Sequence, residues 1–277
     1  MFDDLKPGVV ALIGVPSDEN SSFMRGAASA PSRIREALHA DSSNLCAESE
    51  IDLGREPRLI DLGDLELGSG VVALGQIENT IADLLERDVR VLSLGGDHAI
   101  SYPILKAYGQ KHDKLNILHL DAHPDLYDEY EGNRHSHACP FARIMEEKWA
   151  ARLVQVGIRT MNPHQRTQAE RFGVEVIPMQ AWNLETSVDF EGPVYLSLDM
   201  DVLDPAFAPG VSHPEPGGLS TRDVLRLIQR LRAPIVGADI VEFNPTRDPL
   251  GITAMAAAKF LKEIAARMLE GGRGERH

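Results

Sequence analysis

Eight short apolar segments, none of them strictly alternating between polar and apolar residues, constrain the fold of this chain more than any other feature. Most are rich in Val, Ile and Leu. Strands without alternation are buried on both faces, as in a parallel sheet that helices cover on both sides. The segments are VVALIGV near residue 9, RLIDLGD near 58, VRVLSLGG near 89, LNILHLDAH near 115, ARLVQVGIR near 151, VEVI near 174, VYLSLDMD near 194 and IVGADIVEF near 235.

Residue patterns of helical spacing lie between these segments and carry the expected end signals. Pro31 stands in a first turn, Gly173 follows a helix as its stop, and Ser220 is a candidate N-cap with Asp223 behind it. Helices are predicted at residues 31–40, 71–87, 99–111, 163–172, 220–232 and 252–268. Because strands and helices alternate without a linker or repeat, we predict one α/β domain over residues 1–277, with helices on both faces of the sheet.

The charge and the cysteines narrow the class of protein. The sequence has 28 Lys and Arg residues against 42 Asp and Glu residues, a net charge of −14 that repels nucleic acids and anionic membranes and weakly favours cationic small molecules. Cys46 and Cys139 make no disulfide framework, which favours a reducing compartment. The acidic start MFDD is unlike a secretory signal, and no apolar run is long enough to cross a membrane. We therefore expect a cytoplasmic protein with no nucleic-acid or membrane partner.

Ligand-type side chains follow the ends of four predicted strands, where open α/β sheets bind their ligands. The third strand ends in Gly95, Gly96, Asp97 and His98. The glycines permit a sharp turn that projects His98 into the crevice, and Asp97 suits a partner that orients a neighbouring group. This signal is weak by itself, because a single histidine after a strand is more often a hydrogen-bonded structural residue.

The segment DAHPD at the end of the fourth strand is a stronger signal. Asp121, His123 and Asp125 are spaced at i, i+2 and i+4, so on an extended segment they share one face. Placed together without a cation, three such groups would cost several kcal/mol in repulsion and desolvation, which predicts a metal ion. The alternative, a solvated polar loop, fits poorly after an apolar strand.

Two carboxylates end the buried seventh strand, and one follows the eighth. Asp199 and Asp201 predict a pair of bridged cations, since unpaired buried carboxylates are not tolerated. Asp204, before a proline, suits turn chemistry. Glu242 is predicted at the mouth of the site, where a carboxylate suits a planar cationic group, and Asp239 on the opposite face pairs with a structural group.

Six residues are therefore candidate metal ligands: His98, Asp121, His123, Asp125, Asp199 and Asp201. An oxygen-rich set with some imidazole suits Mn²⁺ and similar ions, whereas structural zinc would require paired cysteines. The sequence contains no P-loop, no Gly-x-Ser-x-Gly elbow and no dinucleotide fingerprint after a strand.

GGDH, DAHPD and SLDMDVLDP, in that order, resemble the ureohydrolases, the family of arginase and agmatinase. GVPSDENSSFMRGA, DLYDEYEGNRHSHACPFARIME, DPAFAPGVSHPEPGGLS and VGADIVEFNP extend the resemblance over nearly the whole chain and are most similar to plant-type arginases. The resemblance implies a three-layer α/β/α sandwich with a doubly wound, mostly parallel sheet of about eight strands, a homotrimer or homohexamer, and two Mn²⁺ ions per subunit. It assigns one ion to His98, Asp121, Asp125 and Asp199, and the other to His123, Asp121, Asp199 and Asp201.

The resemblance also implies the reaction and the remaining roles. It indicates hydrolysis of a guanidino group to urea and an amine by water that the metals activate, with L-arginine as substrate and agmatine or another guanidino compound as the alternative. His137 matches the histidine that shuttles a proton, although Ala138 stands where many relatives have Gly. Glu242 matches the carboxylate that binds the guanidinium. Asn133, with Ser136 and Asn162, is expected to bind the amino-acid end; the alternative is that Asn133 and Arg134 only cap their loop. His135 and His213 are expected at the rim or in structural positions.

Two rival functions remain at this point. A dinuclear phosphatase would need Arg or Lys beside the metals, whereas the four motif segments are acidic. A non-catalytic metal-binding relative normally loses a ligand or the glutamate, and all six candidate ligands and Glu242 are present here.

Overall fold

The computed structural model describes Phe2 and residues 4–271, in which eight strands form one sheet at the positions that the apolar segments predict. The strands are β1 (Val10–Val15), β2 (Leu59–Asp64), β3 (Arg90–Gly95), β4 (Asn116–Leu120), β5 (Arg152–Ile158), β6 (Glu175–Pro178), β7 (Val194–Asp199) and β8 (Ile235–Val241). Every pair of neighbouring strands is parallel. The non-alternating apolar pattern is explained by burial, since all residues of β1, β4 and β7 are buried.

Seven α-helices accompany the strands in the described part of the chain, and six of them confirm predicted ones. They are α1 (Ala30–Leu38), α2 (Gly70–Glu86), α3 (Ser101–Lys111), α4 (Pro140–Glu146), α5 (Pro163–Phe172), α6 (Thr221–Arg230) and α7 (Ile252–Gly271). The third begins two residues later than predicted, because residues 98–100 form a 3₁₀ turn. Helix α4 was not predicted, since its seven residues are too few to show a helical period.

Side-chain caps set the ends of two of these helices. Asn162 before α5 and Ser220 before α6 each form a capping box. The side chain of the cap residue accepts a hydrogen bond from the backbone N–H of the third helical residue, and the side chain of that residue accepts one from the backbone N–H of the cap residue. Helix α5 ends at Gly173, whose φ of 65° is left-handed and therefore favours glycine. The predicted start and stop signals at Ser220 and Gly173 are confirmed.

The helices form layers on the two faces of the sheet. Helices α1, α6 and α7 belong to one hydrophobic core, and α2 and α3, with residues of α4, belong to a second. The predicted three-layer α/β/α architecture is confirmed. Among the described residues, no helix has both the length and the apolar character that a membrane crossing requires.

The strand order explains why distant motifs meet. The order across the sheet is β2-β1-β3-β8-β7-β4-β5-β6, so β3, β8, β7 and β4 are neighbours in its centre. After β3 the chain moves to the far side, and β7 and β8 later fill the gap between β3 and β4. The four motif segments follow these four strands, and parallel strands end at the same edge of a sheet. The topology therefore collects the motifs around one crevice, at the point where ligands bind in such folds.

Candidate metal centre and active site

Three carboxylates from three strand ends surround one buried imidazole nitrogen. Nδ1 of His98 lies 3.3 Å from Asp121, 3.0 Å from Asp125 and 3.2 Å from Asp199. The same nitrogen has no partner with hydrogen-bond geometry among the described residues, although His98 is fully buried. Ligand atoms that converge on one point without bonding one another are arranged as they would be around a cation.

A second group of ligand-type atoms adjoins the first. Nδ1 of His123 lies 3.0 Å from Oδ2 of Asp201 and 3.4 Å from Oδ1 of Asp121. Asp121 thus directs Oδ1 towards His123 and Oδ2 towards His98, which places this carboxylate between the two groups. The structure therefore brings all six predicted ligands together. A carboxylate shared by two clusters is the arrangement that a dinuclear centre requires.

The charges of this cluster are poorly compensated by protein groups. Burial, together with the charges of Asp201 and Asp121, raises the pKa of Asp199 well above its usual range. Burial also raises the pKa of Asp201 to about 6, against the opposing effect of His123. Carboxyl groups held in this way favour proton uptake unless a cation neutralises them, so the residues fit divalent metal ions.

Turns rather than an extended segment bring the ligands together. The backbone N–H of His123 donates to Oδ1 of Asp121 at 2.6 Å, and that of Asp201 donates to Oδ1 of Asp199 at 2.8 Å. Residues 121–125 lie outside β4, and Asp125 has a left-handed φ of 48°. The prediction of one shared face of an extended segment is therefore wrong in its geometry. The carboxylates meet because each folds back onto the backbone two residues later.

A hydrogen-bonded chain behind His98 fixes which of its nitrogens is free. Asp239 is fully buried and accepts from Ser101 and Tyr195, each at 2.8 Å, and from Ser197 at 2.7 Å. The Ser197 hydroxyl, having donated to Asp239, accepts from Nε2–H of His98 at 3.0 Å. The imidazole therefore carries its proton on Nε2 and presents the lone pair of Nδ1 to the carboxylates. Asp239 has the structural pairing that we predicted.

A second buried histidine supports Asp121. His119 lies 2.7 Å from Oδ2 of Asp121 through Nε2, while its Nδ1 faces Nε2 of Gln155 at 3.0 Å. The same Gln155 nitrogen donates to the carbonyl of Pro124 at 2.6 Å, which fixes the orientation of the amide. His119 must then accept at Nδ1 and donate from Nε2. Sequence reasoning missed both residues, because they lie inside strands and carry no motif.

The loop after β1 forms one wall of the site and was also missed. The Asp97 carboxylate accepts a hydrogen bond from the backbone N–H of Asn20 at 2.9 Å. Asp97 was predicted to orient a neighbouring group, and the group that it orients is this loop. The Asn20 carbonyl accepts from the backbone N–H of His137 at 3.2 Å. Gly96 permits this approach, since a Cβ there would lie 1.8 Å from the carbonyl oxygen of Ser17.

Glu242 and His137 form a buried pair next to the metal ligands. Oε1 of Glu242 accepts from the backbone N–H of His98 and from Nδ1 of His137, both at 2.9 Å. Burial lowers the pKa of His137, but Glu242 outweighs it and brings the value to about 9. Nε2 of His137 faces the hydroxyl of the exposed Ser22 at 2.9 Å. Glu242 was predicted at the mouth of the site, but it is buried beside His137. Its φ of 62° is left-handed, a backbone conformation that changes the direction of the side chain.

A cavity of about 160 Å³ opens over the two clusters. His137, Glu242 and four candidate ligands line it together with Ser22, Tyr127, Tyr130, Ala138, Thr160, Gln165 and His213. His213 therefore lies inside the site, with its ring centroid 4.9 Å from that of His137, whereas His135 packs on Tyr102 outside it. No Lys or Arg is among the described residues that line the cavity, which disfavours the phosphatase.

The three residues predicted to bind the substrate tail do not line this cavity. Asn133 bonds Asn20 at 3.0 Å and the backbone of His135, and Ser136 is buried. Asn162 caps α5 and donates to the hydroxyl of Tyr127 at 2.5 Å, so it contacts a lining residue without being one. These asparagines hold the loops around the cavity.

A larger cavity, of about 610 Å³, lies between α5 and the edge of the sheet. Ile158, Ala169, Val174 and Val176 are among its lining residues, and none of the predicted site residues reaches it. Size alone does not identify the active site here, because the smaller cavity contains the ligand clusters and the perturbed carboxyl groups.

Comparison with known proteins agrees with this geometry. A model of the Arginase family matches residues 9–266. Arginase 1, mitochondrial, of Arabidopsis thaliana is 49% identical, over 93% of this chain and 80% of the relative. The solved structure of arginase from Medicago truncatula has a TM-score of 0.88 and 44% identity, covering 94% of this chain and 87% of the relative. Agmatinase of Bacillus cereus is 33% identical, over 92% of this chain and 90% of the relative.

The relatives also correct one prediction. Plant arginases that are 47–49% identical to this chain are named mitochondrial or chloroplastic, which contradicts the expected cytoplasmic location. The two cysteines favour only a reducing compartment. They carry no information that separates the cytosol from other reducing compartments.

The predicted resemblance is confirmed by the family match, the identity of the relatives and the shared fold. The chain belongs to the metal-dependent arginase family, in which the arginase and agmatinase relatives are hydrolases that act on guanidino C–N bonds.

Proposed function

We propose that this protein hydrolyses L-arginine to L-ornithine and urea with two Mn²⁺ ions per chain. The observation that carries the metal centre is the unpartnered Nδ1 of His98 among three carboxylates. The preference for arginine is supported by relatives named arginase at 46–49% identity, against 33% for those named agmatinase.

The six ligands are proposed to hold the ions in two sets that share carboxylates. His98 and Asp125 serve the first ion and His123 and Asp201 the second, while Asp121 and Asp199 serve both. The contacts of Asp121 with both histidines support its shared role. Oxygen ligands outnumber nitrogen ligands in both sets, which favours Mn²⁺ over Zn²⁺. When bound, two such ions allow water to act as a nucleophile near neutral pH.

Glu242 is proposed to bind the guanidinium. Its Oε1 is engaged by His98 and His137, whereas Oε2 is buried without a partner among the described residues. A buried carboxylate oxygen without a donor is costly, and a guanidinium N–H satisfies it with a charge-assisted hydrogen bond. Glu242 therefore holds the reacting carbon beside the ligand clusters, which makes the attack nearly unimolecular.

His137 is proposed to protonate the leaving amine. Its Nδ1–H is fixed on Glu242, so Nε2–H, beside the exposed Ser22, is the proton that the imidazole can deliver to a substrate in the cavity. Glu242 raises the pKa of His137, which keeps the ring protonated before the C–N bond breaks. The ring can recover a proton from solvent on the Ser22 side.

The tail of the substrate is proposed to meet neutral donors. Because no described Lys or Arg lines the cavity, the arginine carboxylate must accept from groups such as Tyr127, Thr160 and Gln165. Asn162 orients Tyr127 through its 2.5 Å hydrogen bond, and Asn133 and Ser136 hold the neighbouring loop. Agmatine has no carboxylate and leaves these donors unpaired, which is the usual basis of discrimination between such substrates.

The test is kcat/KM for L-arginine and for agmatine in the same Mn²⁺ buffer, with urea as the measured product. We expect the higher value for L-arginine. A value for agmatine tenfold above that for L-arginine would overturn the substrate and leave the urea-releasing reaction intact. Absence of urea from both substrates would overturn the proposed function itself.

Two further expectations stay proposals. The single domain over residues 1–277 is supported by the one continuous sheet of the described residues. A homotrimer or homohexamer is proposed from the family resemblance, and light scattering in solution measures it directly.

A further inference from the structure

A third group of metal-ligating atoms lies in the same cavity, outside the six proposed ligands. Ligand atoms of His137, His213 and Glu242 all lie within 4.8 Å of one another. Glu242 follows β8, His137 precedes α4, and His213 belongs to the segment after β7. Three separate segments thus deliver two imidazoles and one carboxylate to one point.

The chemistry of this group differs from that of the proposed manganese centre. Two histidines and one glutamate are a common protein ligand set for Zn²⁺, with a fourth position left to water. Nitrogen ligands predominate here, whereas carboxylates predominate among the six residues below. The two sites therefore favour different ions, even though they share one cavity.

The spacing of the atoms suits such an ion. Nδ1 of His137 and Oε1 of Glu242 are 2.9 Å apart, and bonds of about 2.0–2.1 Å to a tetrahedral zinc place two ligand atoms about 3.3 Å apart. A shift of a few tenths of an ångström opens this pair for the ion, and the ligand atom of His213 lies within 4.8 Å of both. Oε2 of Glu242, the atom proposed to bind the guanidinium, is buried without a partner among the described residues, so this carboxylate also has an oxygen free for an ion.

We propose that His137, His213 and Glu242 form an inhibitory Zn²⁺ site. The inference rests on the proposed function, in which Glu242 binds the guanidinium and His137 supplies a proton. Zinc on these groups displaces the proton of the imidazole and takes the carboxylate that the substrate needs. Zinc and the guanidinium compete for Glu242, so zinc raises the apparent KM and high substrate concentration relieves the inhibition.

The site is tested on protein already loaded with Mn²⁺, to which at most one equivalent of Zn²⁺ is added. Equilibrium dialysis with elemental analysis counts both metals, and urea release from L-arginine is measured in the same samples. We expect one zinc bound per chain without loss of manganese, together with competitive inhibition. Inhibition with stoichiometric release of manganese would show that zinc enters the other centre, and would overturn the proposal.

His213→Ala separates the site from the catalytic residues. This variant is expected to bind zinc at least tenfold more weakly while it keeps its activity in the absence of zinc. His213→Gln, which preserves more of the volume, repeats the test should the alanine variant fold poorly. His135→Ala is the matched control, because His135 is a nearby histidine outside the cavity, and zinc binding should not change. Wild-type zinc affinity in folded His213 variants would refute the site.

The zinc count does not depend on the reaction, so the two proposals fail separately. If no guanidino compound releases urea but one zinc binds through His213, the proposed function is wrong and the site stands. If urea is released and zinc binding does not depend on His213, the function stands and the site is wrong.

Discussion

Asp239 should control metal affinity although it touches no proposed ligand directly. Its carboxylate accepts from three hydroxyl groups, those of Ser101, Tyr195 and Ser197, and only Ser197 continues to His98. In Asp239→Asn the amide nitrogen can only donate. If it faces Ser197, that hydroxyl accepts from it, and the hydroxyl proton, which no longer has an acceptor at residue 239, is free to donate to Nε2 of His98. The imidazole proton would move to Nδ1, and the lone pair that faces the metal would be lost.

The magnitude follows from the number and kind of these contacts. Loss of a group that orients a metal ligand typically costs about 10–100-fold in metal affinity, or about 1.4–2.7 kcal/mol. The fold is weakened as well. Hydrogen bonds to a charged group contribute about 1.5–3 kcal/mol and neutral ones about 1 kcal/mol, so three weakened bonds cost about 1.5–6 kcal/mol.

Calorimetric Mn²⁺ titration and urea denaturation of the metal-free protein measure the two effects separately. Ser101→Ala is the matched control, because it removes one donor from the same carboxylate and leaves the contact between Ser197 and His98 in place. The control should lose about 1.5–3 kcal/mol of stability, because one hydrogen bond to a charged group is removed, and should keep its manganese affinity. Equal manganese affinities for Asp239→Asn and the wild type would refute the tautomer argument, whatever the stabilities.

Three further substitutions test the proposed roles in the site. Asp199→Asn should remove at least one of the two ions and nearly all urea release, and full metal content by elemental analysis would contradict its ligand role. Glu242→Gln should keep both ions but lose most turnover, because a neutral amide cannot pair with the guanidinium; undiminished kcat/KM would mean that the substrate is bound elsewhere. His137→Asn should lower kcat by about 10²–10⁴-fold with the metals retained, and added imidazole should restore part of the rate. An unchanged rate would exclude proton transfer by His137.

The strands and the convergence of the six proposed ligands were predictable because both depend on local sequence. A buried strand needs only a short apolar run, and a carboxylate at its end, such as Asp199, conflicts with burial wherever the strand lies. Parallel strands bring their ends to one edge of the sheet, so the convergence of the ligands can be predicted before the strand order is known. The geometry of convergence was not predictable in the same way, since the hydrogen bond from His123 to Asp121 replaces an extended segment by a turn.

The walls of the cavity could not be predicted, because they come from segments without a chemical motif. Ser22 and Asn20 reach the site only because the loop after β1 packs on Asp97 and His137. Gln155 carries no signal in an apolar strand until its contact with His119 is known. The predicted tail-binding role of Asn133 depended on a donor-rich loop after the metal-ligand segment and on its similarity to plant-type arginases, and its side chain bonds Asn20. Tertiary contacts decide such positions.

The central claim is that these six residues hold two manganese ions that the urea-releasing reaction requires. The most direct measurement is a manganese titration of chelator-treated protein, in which bound metal and urea release from L-arginine are followed in the same samples. The account predicts saturation at two Mn²⁺ per chain, with urea release rising together with occupancy. Full urea release from metal-free protein, or saturation with manganese without urea from any guanidino compound, would contradict it.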